Sequence, residues 1–207
     1  MLLEVTLKIV TKSFQLVAGH PAVDLVNTLD WRFRESGAEE LLNTYEDLLR
    51  FTEQTGLLSQ RQAKALRRTE GPAASRALQQ ARDLRESAAQ VFYAMVDRVE
   101  PPVEGVLRLD RYMHTAQANR TLRWTPSGVK LVWAEETDPA LPVWLLGQAA
   151  ADALTSASAG NLRACADAAC RWLFLDMSKN HMRRWCNMKI CGNRTKARRF
   201  REQRSAR

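Results

Sequence analysis

Apolar residues recur every three or four positions through most of this chain, and the rhythm breaks at Gly, Pro or a short polar cap. The first such stretch opens at His20-Pro21, where proline is tolerated because a first helical turn does not need its missing donor. From there Ala22, Leu25, Val26, Leu29 and Phe33 share one stripe, predicting a helix over 20–33 with that stripe in the core. Ahead of it, Phe14-Gln15-Leu16-Val17 reads as a short strand ending at Gly19, preceded by an alternating stretch over 4–9. A second helix is expected over 44–55, with Tyr45, Leu48, Leu49 and Phe51 inward and Gly56 at its end. Ser59 caps a third over 60–69, which Gly71-Pro72 breaks. The longest periodic run, 73–98, turns Leu78, Ala81, Leu84, Ala88, Val91, Phe92 and Met95 inward and is the central packing helix. Its charges Arg82, Asp83, Arg85 and Glu86 read as a solvated face.

Pro101-Pro102 forces a new start, and a helix over 103–118 carries His114, a lone histidine with no nucleophile or acid to work with and so a surface or satisfied core residue. Alternation on both sides of Thr125-Pro126-Ser127-Gly128 predicts a β-hairpin, with Leu122 and Trp124 on one face and Leu131 and Trp133 sharing a face of the partner strand. We expect those tryptophans in the core, with stacking on a ligand as the other fate. Asp138-Pro139 caps a last helix, apolar on more than one side and closed by Gly160. The class is therefore mainly α (α+β): a helical N-terminal part over 1–160 with a small hairpin or short sheet, and a small C-terminal module over 161–207. Only Ser156-Ala157-Ser158-Ala159-Gly160 separates the two, so they should touch.

Charge changes the picture once it is located. The chain has 207 residues and a formal net charge of +8. From Lys179 onward eleven Lys and Arg stand against the single acid Glu202, a balance of +10, so the residues before 179 sum to −2. Such asymmetry points to a polyanionic partner for one end only. With 45% hydrophobic residues and no apolar run of membrane-spanning length, the chain reads as soluble and cytoplasmic, with no membrane partner.

All four cysteines lie in that same end, as Cys165/Cys170 and Cys186/Cys191, two pairs of identical spacing with fifteen residues between them. Two short Cys loops joined by an intervening segment suit a four-thiolate site for one divalent ion, with zinc the first choice and a ribbon or treble-clef-like knuckle the expected shape. Two disulfides or an iron–sulfur cluster are the alternatives. The first suits small secreted domains, and the second usually has tighter CxxC runs.

Around these cysteines, Arg171-Trp172-Leu173-Phe174-Leu175-Asp176, Ser178-Lys179-Asn180, Arg183-Arg184-Trp185-Cys186-Asn187-Met188 and Cys191-Gly192-Asn193-Arg194-Thr195-Lys196 resemble the CGNR zinc finger of bacterial transcription regulators over about 162–199. The resemblance implies that Cys165, Cys170, Cys186 and Cys191 hold zinc, and that DNA is the polyanion. The run from Phe14 through His20-Pro21-Ala22-Val23-Asp24-Leu25-Val26-Asn27-Thr28-Leu29 to Arg32 resembles the opening of the ABATE domain, which commonly precedes that finger and implies a sensor role.

On the helix opened by His20, the residues His20, Asp24, Asn27, Thr28 and Trp31 share the face opposite the apolar stripe. They are either a wet face with His20 as a cap or the lining of a small-molecule pocket, in which His20, Asp24, Asn27, Thr28 and Arg32 would hold the ligand. Arg183, Arg184 and Arg194 flank the thiolates and have a neutralising role open to them. Beyond them, 194–207 has helix-forming composition, and a helix that basic suits phosphates or a major groove; a frayed, solubilising tail is the bland alternative. Arg183, Arg184, Arg194, Lys196, Arg198, Arg199 and Arg201 are the expected DNA contacts. The expectation is a one-component regulator that is not an enzyme, with an unidentified small-molecule ligand and a homodimer as an open arrangement. The rival is a zinc-stabilised module that docks RNA or protein on a scaffold.

Overall fold

The computed structural model describes residues 13–205; the alternating stretch over 4–9 lies outside them. Residues 14–17 form no strand. They run extended across the body, with the Phe14 ring edge-on to Phe51 at 5.3 Å and both backbone groups of Phe14 held by the Gln54 side chain. Helix α1 (Pro21–Val26) begins as its sequence foretells, with His20 as N-cap and its Nδ1 accepting the Ala22 N–H at 3.3 Å.

It ends seven residues short of the predicted helix. Thr28 turns its hydroxyl back onto the Leu25 carbonyl at 2.6 Å, and Trp31 adopts a left-handed φ of 52°. The chain then folds into a two-residue antiparallel ribbon, β1 (Leu29–Asp30) against β2 (Glu39–Glu40). Ala22, Leu25 and Val26 are in the core as expected, whereas Phe33 is 44% exposed.

α2 (Tyr45–Gln54) and α3 (Gln60–Leu66) both start in capping boxes, Thr44 with Asp47 and Ser59 with Gln62. α4 (Pro72–Asp97) is the central helix, entered through Gly71 and closed by Arg98 in the left-handed region. One part of its expected solvated face is buried. Arg85 is 3% exposed, its guanidinium forking onto both Glu40 oxygens at 2.7 Å and onto Glu86 at 2.8 Å. Burial alone would raise the Glu86 carboxyl, but Arg32 and Arg85 together hold it below its ordinary range. This cluster fastens the β1–β2 ribbon to α4.

α5 (Val103–Ala118) packs along α6 (Leu141–Thr155), close enough that a Cβ on Gly147 would stand 3.1 Å from the Tyr112 carbonyl oxygen. α6 starts after Asp138-Pro139 rather than in it, and ends at Thr155 rather than at Gly160. His114 is an exposed residue of α5. Between the helices the hairpin forms as predicted, β3 (Arg120–Thr125) with β4 (Gly128–Trp133) around Pro126-Ser127. Its burial does not follow the expectation: Trp133 is partly covered, but Trp124 is 79% exposed.

The C-terminal module opens with β5 (Leu162–Ala164) antiparallel to β6 (Leu173–Leu175), continues through an irregular segment to a π-turn at Met188–Gly192, and ends in α7 (Asn193–Ser205). Leu162, Leu173 and Leu175 belong to the same apolar core as Leu25, Leu84 and Phe92, so the body's core runs on into the module's hairpin.

Candidate metal centre and nucleic-acid interface

The β5–β6 hairpin carries the first cysteine pair at its turn. Asp167, 1% exposed, shapes that turn: its carbonyl accepts the N–H groups of Cys170 and Arg171 at 2.9 Å, and its Oδ1 accepts that of Ala169 at 3.3 Å. Asn187 does the same for the second pair, its Oδ1 accepting the Lys189 N–H and its carbonyl the Cys191 N–H, each at 2.9 Å. Gly192 then allows the chain to turn into α7, since a Cβ there would collide with the Met188 thioether and lie 3.2 Å from Trp185.

These two turns bring all four sulfurs within 4.8 Å of one another, and all four cysteines are buried and unbridged. Cys170 to Cys186 is 3.7 Å and Cys186 to Cys191 is 3.6 Å. Tetrahedral zinc with bonds of about 2.3 Å sets its sulfurs roughly 3.8 Å apart, so the donor set fits one zinc ion in a closed structural site. Sulfurs this close cannot all ionise without a cation. Hydrogen bonds from Cys170 and Cys186 hold the Cys165 thiol far below its usual range, and the same bonds push Cys170 and Cys186 up. Burial, with repulsion from Cys165, raises Cys191. A zinc ion held by Cys165, Cys170, Cys186 and Cys191 would supply the positive charge that lets all four act as thiolates.

Two of the flanking arginines turn inward. The Arg194 guanidinium lies 4.4 Å over the Trp31 ring, 3.9 Å from an Asp167 oxygen and 3.9 Å from the Cys191 sulfur, joining body to metal knot. Arg183 donates to the Val17 and Cys186 carbonyls at 3.1 and 2.6 Å and stacks 4.2 Å over Phe174. The exposed cations lie elsewhere. Arg184 rests over Trp185, and Lys196, Arg198 and Arg201 project from α7, with Arg198 within 4.0 Å of Glu202 and the Arg201 Nε donating to the Ala197 carbonyl at 3.3 Å. Arg199 is on the same helix. Thr195, in the first turn of α7, is buried.

The polar face of α1 meets this module. Asn27 reads both backbone groups of Leu173, its amide donating to the carbonyl at 2.9 Å and its oxygen accepting the N–H at 2.9 Å. One residue pair along, the Leu175 N–H donates to the Ala18 carbonyl at 2.8 Å, so the body closes the free edge of β6. Asp24 Oδ1 accepts the N–H groups of Val17 and Ala18, both at 3.0 Å. The Thr28 hydroxyl accepts from Arg85 at 3.3 Å, and Arg32 forks onto Glu86. The void beside Asp24, Asn27 and Thr28 measures ≈ 10 Å³, room for about one water. A larger cleft of ≈ 200 Å³ opens at the seam itself, running from the sulfur site at Cys170, Cys186 and Cys191 to Gln15, Asp30 and Trp31 of the body.

Asp167, Arg171 and Asn187 are residues of this region that spacing did not single out as partners. Arg171, in the left-handed region, pairs with Asp97 at 2.8 Å and receives the Tyr93 hydroxyl on its carbonyl, pinning the first cysteine turn to the end of α4. For Asp167 and Asn187 a signal existed: an Asp or Asn two residues before a turn N–H favours this bend.

A closed four-cysteine knot carrying a basic helix, set on a helical body, defines a two-part zinc-finger protein. Residues 19–159 match the ABATE family, described as "Putative stress-induced transcription regulator", and residues 161–204 match the CGNR zinc finger. The chain belongs to the ABATE family and has a CGNR finger directly after that domain, the pairing that its sequence motifs resemble. None of the curated proteins matches it. No helix among the described residues is long and apolar enough to cross a membrane.

Proposed function

We propose that this protein is a DNA-binding transcription regulator whose zinc finger presents α7 to duplex DNA. The observation that carries this reading is the exposed run Lys196, Arg198 and Arg201 on a helix that begins at the metal knot. Zinc fixes the start of the helix, and the lack of a balancing acidic surface on this segment suits a phosphate backbone. Anisotropy titration of labelled duplex DNA against salt tests it. Neutralising about five phosphates gives a log–log slope near −4.5, and replacing Lys196 and Arg198 by Ala lowers its magnitude by about 1.8. A slope near zero, or preference for structured RNA or an acidic protein over duplex DNA, would move the protein into the class of interaction modules.

The body is the sensing part of this reading. The seam cleft supports a place for it more than the α1 face does: its walls come from both parts, so a small molecule held there would bear on the finger directly. Native mass spectrometry of protein taken from cells is the test. A bound small molecule lost on Trp31→Ala supports the cleft; one retained in that variant places sensing elsewhere.

A further inference from the structure

We propose that the β3–β4 hairpin is a dimerisation arm, packing face to face on the same hairpin of a second copy of this chain. The strand register places Arg120 opposite Trp133, Leu122 opposite Leu131 and Trp124 opposite Val129, all on one face. At its root this face is covered by the body: Trp133 stacks on Trp144 of α6 with ring centroids 6.1 Å apart, and the Arg120 guanidinium lies 5.1 Å over Trp133. Beyond the root the hairpin has no substantial packing with any other element among the described residues. The same apolar face simply continues outward, with Leu122 71%, Trp124 79%, Val129 59% and Leu131 47% exposed. A contiguous apolar face on a projecting arm is the signature of an association surface rather than of scattered surface apolar residues.

Three features favour a second copy as the occupant. The face holds no charge except Arg120, which is engaged on Trp133, so neither a nucleic acid nor an acidic segment finds a partner there. Near its tip Trp124 stands across from the smaller Val129, which lets a two-fold related copy set its tryptophan over the partner's valine. The four side chains expose on the order of 500 Å² per copy, so two arms bury about 1,000 Å², the lower bound for a specific interface. An isolated two-stranded sheet is marginal in water, and packing two of them face to face makes a small sandwich. The inference does not rest on DNA binding.

Sedimentation equilibrium of the full zinc-loaded chain over a dilution series tests it. The expected result is a concentration-dependent rise from the 23.5 kDa monomer towards twice that mass. Trp124→Lys and Leu131→Asp should each hold the chain as a monomer at every concentration; Trp124→Lys should melt as the wild type does at dilutions where it is monomeric, because that residue is 79% exposed. Trp124→Phe should retain the dimer. A wild-type chain that stays monomeric, a dimer that survives Trp124→Lys, or protection of Trp124 in a monomeric chain by duplex DNA or by another protein would overturn the proposal.

Discussion

The two halves of the zinc module are held by different forces. Its first half, the β5–β6 hairpin, is welded to the body: Leu162, Leu173 and Leu175 sit in the shared apolar core, and Ala18 and Asn27 close the outer edge of β6. Its second half, from residue 176 through α7, has little core of its own. Among its buried residues are Cys186, Cys191 and Thr195; the two cysteines share a small apolar cluster with Trp172, Phe174 and, from the body, Val17 and Trp31, and its polar ties to the body include Arg183 and Arg194. Zinc would therefore join an element that the body's core already holds to one with few other ties. The metal site is less the centre of a separate domain than the clasp between a finished protein and its cationic arm.

The strongest test of this division is removal of the metal. Structural zinc sites supply about 10–16 kcal/mol of apparent binding free energy, far above what a few arginine contacts provide. Chelation, or Cys191→Ser, should abolish zinc binding and raise hydrogen exchange through 176–205, with loss of any duplex affinity. Exchange in α4, α6 and the β5–β6 hairpin should stay slow. If β5 and β6 lose protection together with α7, the two halves form one metal-dependent unit and the division is wrong.

Asn27→Ala acts on the other side of the clasp. It removes two hydrogen bonds and leaves the buried N–H and carbonyl of Leu173 without partners, at a cost of about 3–4 kcal/mol. Urea denaturation should show that loss with zinc still bound. Stability within about 0.5 kcal/mol of wild type would mean that the edge of β6 is satisfied without the body.

How much of this was legible in the sequence depends on whether the signal was local. The cysteine pairs, the capping boxes at Thr44 and Ser59 and the hairpin around Pro126-Ser127 are each fixed by neighbours a few residues away, and the four ligands converge as their spacing implied. The fates of polar side chains were not legible, because their partners are distant in sequence. Asn27 meets Leu173 across 146 positions, and Arg85 meets Glu40 across 45. Arg183 and Arg194 look like any other members of a cationic run until the fold turns them inward. The reverse holds for Trp124, whose alternating pattern suits a half-buried sheet but which is 79% exposed, with no covering layer among the described residues.

The smallest effect concerns Asp24, which anchors the approach to α1 at the seam. Burial raises its carboxyl from 3.8 to about 6, against the opposing pull of the Ala18 and Val17 N–H groups and of Arg183. Because the folded state binds this proton more tightly than the unfolded chain does, the contribution is fully present below 3.8 and is lost as pH rises through about 6. The whole span is worth at most about 3 kcal/mol, and less where the site relaxes. Asp24→Asn removes the titration while keeping the geometry, since both backbone N–H groups donate to the same oxygen, Oδ1, which the amide retains. The variant should match or exceed wild type in stability at neutral pH, and its stability should lack the downward slope that Asp24 contributes between pH 4 and 6. A variant clearly less stable at neutral pH would show instead that the charge on Asp24, facing Arg183, helps hold finger and body together.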